Sequence, residues 1–185
     1  MTKEFIKEIG KLKKLTVNRG KSSIDFKARN GDIYTDTLTV KLGQKKLYFT
    51  NYANSDPTIG YKGGIIEKGN YLGLIGDHKG KYESIKLFQT DSLDRVKQLK
   101  ELVEKAKTDK KKNSVWKKLT RQERTFVSEI PNRNHGNKKI IQLVAVHKGG
   151  YSWDFSHGCI TILKTNYKRF IDIFSAGEIL IVEIK

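Results

Sequence analysis

Cys159 is the only cysteine of the chain, and it stands in "VHKGGYSWDFSHGCITI" with two of the four histidines, His147 and His157. A thiol beside an imidazole yields a thiolate near neutral pH, because an imidazolium pulls the thiol pKa several units below about 8.5. Such a pair suits acyl transfer, in which the sulfur attacks a carbonyl and the imidazole manages the proton. Gly158 permits a sharp turn and lets a substrate approach the main chain. Backbone N–H groups near Gly158 and Cys159 are therefore placed to hold an oxyanion.

Other readings compete. A single cysteine in a strand is commonly a small buried apolar residue. His135, in "NRNHGNKK", is a rival base, although it sits in a polar stretch rather than at a strand end. His147, His157, Cys159 and Asp154 could ligate zinc, but no second cysteine and no HExxH spacing accompanies them. Neither a metal nor a cofactor is therefore expected. Tyr151 and Trp153 either line a substrate groove or anchor their loop to the core. Asp154 either meets a substrate ammonium group or caps a turn. His78, in "GDHKGK", reads as a surface turn residue.

The elements that must position the pair are mostly strands. "KKIIQLVAVH" is a continuous apolar run ending at His147, and "CITIL" is a second. Eleven residues, Lys148 to Gly158, lie between the two side chains. A strand, a turn and a returning strand would bring them side by side. Upstream, residues 15–88 offer short alternating runs broken by turn residues, with Asn30-Gly31 the strongest hairpin signal. "TDSLDRVKQLKELVEKAK" and "VWKKLTRQERTFVSEI" carry helical periodicity, the second ended by Pro131. They predict a helical insertion over residues 90–130, a candidate lid. "TNYKRFIDIFSAGEILIVEIK" predicts a short helix, a turn at Gly177 and a closing strand. Residues 1–13 predict an amphipathic helix. One domain spanning residues 1–185 is expected, an α+β fold that is mainly β.

The formal net charge of +17 favours polyanionic or acidic partners. No nucleic-acid recognition motif accompanies that charge, so nucleic acid is the less favoured partner. No stretch approaches membrane-spanning length. "MTKEFIKEIGKLKKL" lacks the apolar core of a signal peptide, which predicts synthesis in the cytosol.

"SHGCITI" resembles the signature of the L,D-transpeptidase (YkuD-like) family, in which a histidine precedes Ser/Thr-His-Gly-Cys. "VAVHKG", "IIEKGNYLG" and "NYKRFIDIFSAGEILIVEI" resemble further stretches of that family in the same order. The resemblance implies an antiparallel β-sandwich, here with a helical-pair excursion. It implies Cys159 as nucleophile and His147 as base, with the carbonyl of Lys148 orienting the imidazole. It implies that Ser156, His157 and Gly158 shape the nucleophile turn and help to hold the oxyanion. The loop between His147 and Ser156 is shorter than in most of the family, as in its toxin-like and phage-associated branches. Thr161 stands where the family tends to have Asn or Arg. The implied activity is peptidoglycan modification on tetrapeptide stems, as transpeptidase or carboxypeptidase. The implied setting is an antibacterial effector, delivered to the cell wall or periplasm by a secretion system or lysis, with an acidic immunity protein as a candidate partner. The reading from a different class is a non-catalytic basic module that holds anionic cell-wall polymer or nucleic acid.

Overall fold

The structure, a computed structural model, describes residues 7, 10–23, 26–27, 33–55, 66–78, 82–89, 94, 97–98, 100–101, 130–131, 140–141, 144–149 and 159–185. Its strands are β1 (Lys13–Asn18), β2 (Phe26–Lys27), β3 (Ile33–Tyr34), β4 (Asp36–Leu42), β5 (Lys45–Asn54), β6 (Gly69–His78) and β7 (Tyr82–Gln89). They continue with β8 (Ile130–Pro131), β9 (Ile140–Ile141), β10 (Ala145–Lys148), β11 (Ile160–Ile162) and β12 (Ile179–Ile184). The helix α1 spans Lys164–Ile171.

Eight strands close into a barrel in the order β1, β12, β6, β7, β10, β11, β5, β4. Period-two alternation supplies its interior. Leu15 and Val17, Leu38 and Val40, Ile85 and Leu87, Ile160 and Ile162, and Leu180 and Val182 all sit in one buried cluster. Each such side chain contributes roughly 1.5–3 kcal/mol by leaving water. Gly73 is the interior position of β6 where no side chain fits. A Cβ there would come within 2.7 Å of Ile85 and 2.9 Å of Leu180.

α1 sends Tyr167, Phe170 and Ile171 into the same cluster, the i, i+3, i+4 spacing of one helix face. Phe170 packs on Tyr48, Tyr167 and Phe174 with ring centroids 5.5–5.8 Å apart. The Nζ of Lys13 donates to Ile173 O at 2.8 Å and pairs with Glu178 at 2.9 Å, tying β1 to the turn after α1. Gly177 takes φ 77 in that turn, a left-handed value that favours glycine.

The expected antiparallel β-sandwich with a helical-pair excursion is corrected to this closed mixed barrel. A sandwich leaves sheet edges, whereas here β1 bonds to β12 on one side and β4 on the other. Two pairs, β1 with β12 and β10 with β11, are parallel. Alternation marks which residues face inward, and it reads the same in a sandwich and a barrel. Closure rests on pairing the first strand with the last, which no local pattern encodes.

Three narrower expectations also change, while the helix predicted from residue 90 is matched at the residues described there. Of residues 90–130, those described as helical are Asp94, Lys97, Gln98, Lys100 and Glu101, and residues 102–129 lie outside the described set. Ile130 pairs with Ile141 as strand rather than ending a helix. The run "KKIIQLVAVH" is divided between β9, which pairs with β8, and β10, which belongs to the barrel. At the N-terminus Lys7 is helical, but the chain is already turning at Gly10 and enters β1 at Lys13.

Candidate active site

β10 and β11 carry the candidate base and nucleophile. They run parallel in the register Val146↔Ile160, His147↔Thr161 and Lys148↔Ile162. The returning hairpin expected between them is therefore a crossover. The sheet places the two side chains on one face all the same. Residues in register share a face, and Cys159, two positions before Thr161 and immediately before β11, continues that alternation. Val146, Ile160 and Ile162 take the opposite, interior face. A two-residue offset across neighbouring strands puts the Cα atoms of His147 and Cys159 about 8 Å apart, within side-chain reach. Both residues are half-buried.

The His147 ring is held by its own neighbour. Nδ1 lies 2.9 Å from the carbonyl oxygen of Lys148. A carbonyl only accepts, so Nδ1–H donates and the lone pair of the neutral ring sits on Nε2. That is the tautomer a general base requires when Nε2 faces the acid it serves.

Tyr82 is a member of this neighbourhood that the sequence reading did not name. Its phenol is pushed up from its ordinary value, first by burial and then by negative charge at Cys159. The Tyr82 ring stands edge-on to Tyr167 at 5.9 Å. The Lys148 ammonium sits over the Tyr82 ring, 4.5 Å from its centroid. Tyr167 donates to Glu83 O at 2.7 Å, and burial raises its phenol strongly. Nothing in "GKYESIKLF" marks Tyr82 for this role. It arrives because β7 pairs with β10, through Ala145↔Lys86 and Val146↔Ile85.

The exit from β10 is equally specified. Gly149 N–H donates to Ile162 O at 2.7 Å. A Cβ on Gly149 would fall 2.5 Å from Tyr34 Oη and 3.1 Å from Ile162 O. Glycine is the residue that fits beside Tyr34 at this position.

His78, read as a turn residue, instead ends β6 opposite Tyr82. Tyr151, Trp153, Asp154, Ser156, His157, Gly158 and the rival base His135 lie outside the described residues. Among the described residues, no three His, Cys, Asp or Glu side chains group as metal ligands. Among them also, no helix is long and apolar enough to cross a membrane. No protein-family model, no curated protein and no solved structure matches the chain.

Proposed function

We propose that the protein is a cysteine acyltransferase of L,D-transpeptidase type that modifies peptidoglycan. One observation carries this reading: His147, its Nδ1 held by Lys148 O, shares a sheet face with Cys159 across the β10–β11 pair. The resemblance of "SHGCITI" to the transpeptidase signature supplies the substrate class.

In this mechanism Nε2 of His147 takes the thiol proton, and the thiolate attacks the carbonyl carbon of a tetrapeptide stem. The C–N bond to the terminal D-amino acid breaks. The imidazolium returns the proton to the departing amine, which leaves as the free amino acid. The thioester is then resolved by an acceptor amine, giving a cross-link, or by water, giving the shortened stem. In either case His147 accepts the proton of the attacking group and passes it to the departing sulfur. Backbone N–H groups near Gly158 and Cys159 would hold the tetrahedral oxyanion. The action is that of an effector at the cell wall of a target bacterium, with an acidic immunity protein as its counterpart.

The test is mass spectrometry of muropeptides after incubation of sacculi with wild type and Cys159→Ala. Loss of the terminal D-amino acid, or new cross-links, in the wild-type sample alone supports the reading. Identical profiles for the two proteins would reject it.

A further inference from the structure

The outer face of β1, β4 and β5 has a composition that the Cys159 chemistry does not use. These three strands contain Lys13, Lys14, Lys41, Lys45 and Lys46, and their sole acidic residue, Asp36, is buried. Register aligns three of the lysines in one cross-strand row, Lys14↔Lys41 and Lys41↔Lys46. Like charges directly opposite one another destabilise a sheet. Of the three, Lys14 is paired with Glu183, at 3.0 Å. The row has a cost in the isolated protein that an anionic ligand would offset.

The neighbouring row is Thr16↔Thr39 and Thr39↔Phe49. Phe49 is 48% exposed, one of two large apolar side chains so exposed among the described residues. Phe49 thus lies one same-face repeat along the sheet from the lysine row, about 7 Å of backbone.

A β-bulge builds this arrangement. Lys46 and Phe49 are three residues apart, and in a regular strand they would face opposite ways. The register shifts between Val40↔Tyr48 and Lys41↔Lys46, so Leu47 is the extra residue. That insertion turns Lys46 onto the face of Phe49, with its Nζ 5.8 Å from the ring centroid. Bulges commonly re-aim side chains in this way next to functional sites.

We infer that this face of β1, β4 and β5 docks single-stranded nucleic acid, a base stacking on Phe49 while phosphates run along Lys14, Lys41 and Lys46. A basic surface with an exposed aromatic platform is the arrangement that binds single strands with little sequence preference. A base-free polyanion would use the lysines but leave the exposed ring and the bulge without a role. A duplex keeps its base faces stacked and offers none to Phe49. The net charge of +17 adds long-range attraction. The face is separate from the candidate active site. Asn54 pairs with Thr161, and Phe49 lies five residues back along β5, about 17 Å away. The inference therefore stands independently of the peptidoglycan reading.

The test uses fluorescence anisotropy with a labelled oligothymidylate of about 20 nucleotides, titrated with the full chain at several salt concentrations. Phe49→Ala is expected to weaken binding about tenfold or more, and Phe49→Trp to retain it, with thermal midpoints unchanged. Lys41→Gln combined with Lys46→Gln is expected to flatten the log–log salt slope by about 1.4. Cys159→Ala is expected to bind like wild type, so a failed muropeptide assay leaves this result standing. Wild-type affinity in Phe49→Ala overturns the inference. So does equally tight binding of inorganic polyphosphate, poly(glycerol phosphate) or a duplex of matched length.

Discussion

His147 turns its Nδ1 onto the carbonyl oxygen of Lys148, 2.9 Å away and one residue further along β10. The contact sets the tautomer before any substrate arrives, and the β10–β11 register sets which face the ring shares with Cys159. Because Cys159 is the only thiol of the chain, its reactivity can be read without interference. His147→Gln is expected to slow iodoacetamide alkylation of Cys159 at pH 7 by about tenfold or more, since the thiolate loses its cationic partner. Above about pH 9 the two proteins should react at similar rates, because an ordinary thiol is by then largely ionised. The measurement is the second-order alkylation rate against pH. Overlapping profiles would remove His147 from the role of base.

A second expectation concerns the chain's exit from that strand. Gly149→Ala places a methyl group 2.5 Å from Tyr34 Oη and 3.1 Å from Ile162 O. The backbone oxygen is fixed by the 2.7 Å bond from Gly149 N–H, so the strain falls on Tyr34. The substitution is expected to cost about 1–3 kcal/mol in denaturant unfolding. Tyr34→Phe in the same chain removes the closest clashing atom and should recover part of that loss. An additive double mutant would show that the phenol oxygen is not the source of strain.

These two residues also show what could be read in advance. Gly149 and His147 flank the end of an apolar run, so the strand end and the nearby imidazole were legible from pattern alone. The closing segment was legible too, since helix, Gly177 turn and final strand each carry local signals in α1 and β12. Legibility ended where position depends on strand partners. The parallel β10–β11 pair, the β1–β12 closure and the β7–β10 pairing that brings in Tyr82 are all long-range. The bulge at Leu47 was equally hidden, because "KKLYFTNYAN" on its own shows only which residues alternate.

Tyr71 links the core to pH. Its phenol is buried and donates to Glu67 O at 2.7 Å. Burial, and then the charge of Glu67, push it up to about 12 against the opposing charge of Arg19. A folded value above the ordinary value of 10.0 means that the folded state holds the proton more tightly. Its stabilising effect is complete below about pH 10 and is lost as pH rises towards 12. Thermal midpoints measured from pH 8 upward should therefore fall more steeply between 10 and 12 in wild type than in Tyr71→Phe. Parallel curves would show that Tyr71 titrates alike in the folded and unfolded chain.

Asp36 is the strongest structural commitment at the start of β4. It is 1% exposed, and its carboxylate accepts from Gly20 N at 2.9 Å and Thr35 Oγ1 at 3.1 Å. Its other oxygen accepts from Ser55 N at 2.7 Å and Ser55 Oγ at 2.5 Å. Arg19 Nε donates to the same Ser55 hydroxyl at 2.9 Å. One side chain thus ties the end of β1, the start of β4 and the end of β5 into a single network. Asp36→Ala strands several of these donors away from water, each at about 1–3 kcal/mol. A total loss of about 3 kcal/mol or more is expected in denaturant unfolding. Ser55→Ala removes one of those donors and should cost less, and the double mutant should fall short of the sum because the two share hydrogen bonds. Additive losses would mean that Asp36 and Ser55 stabilise the barrel independently.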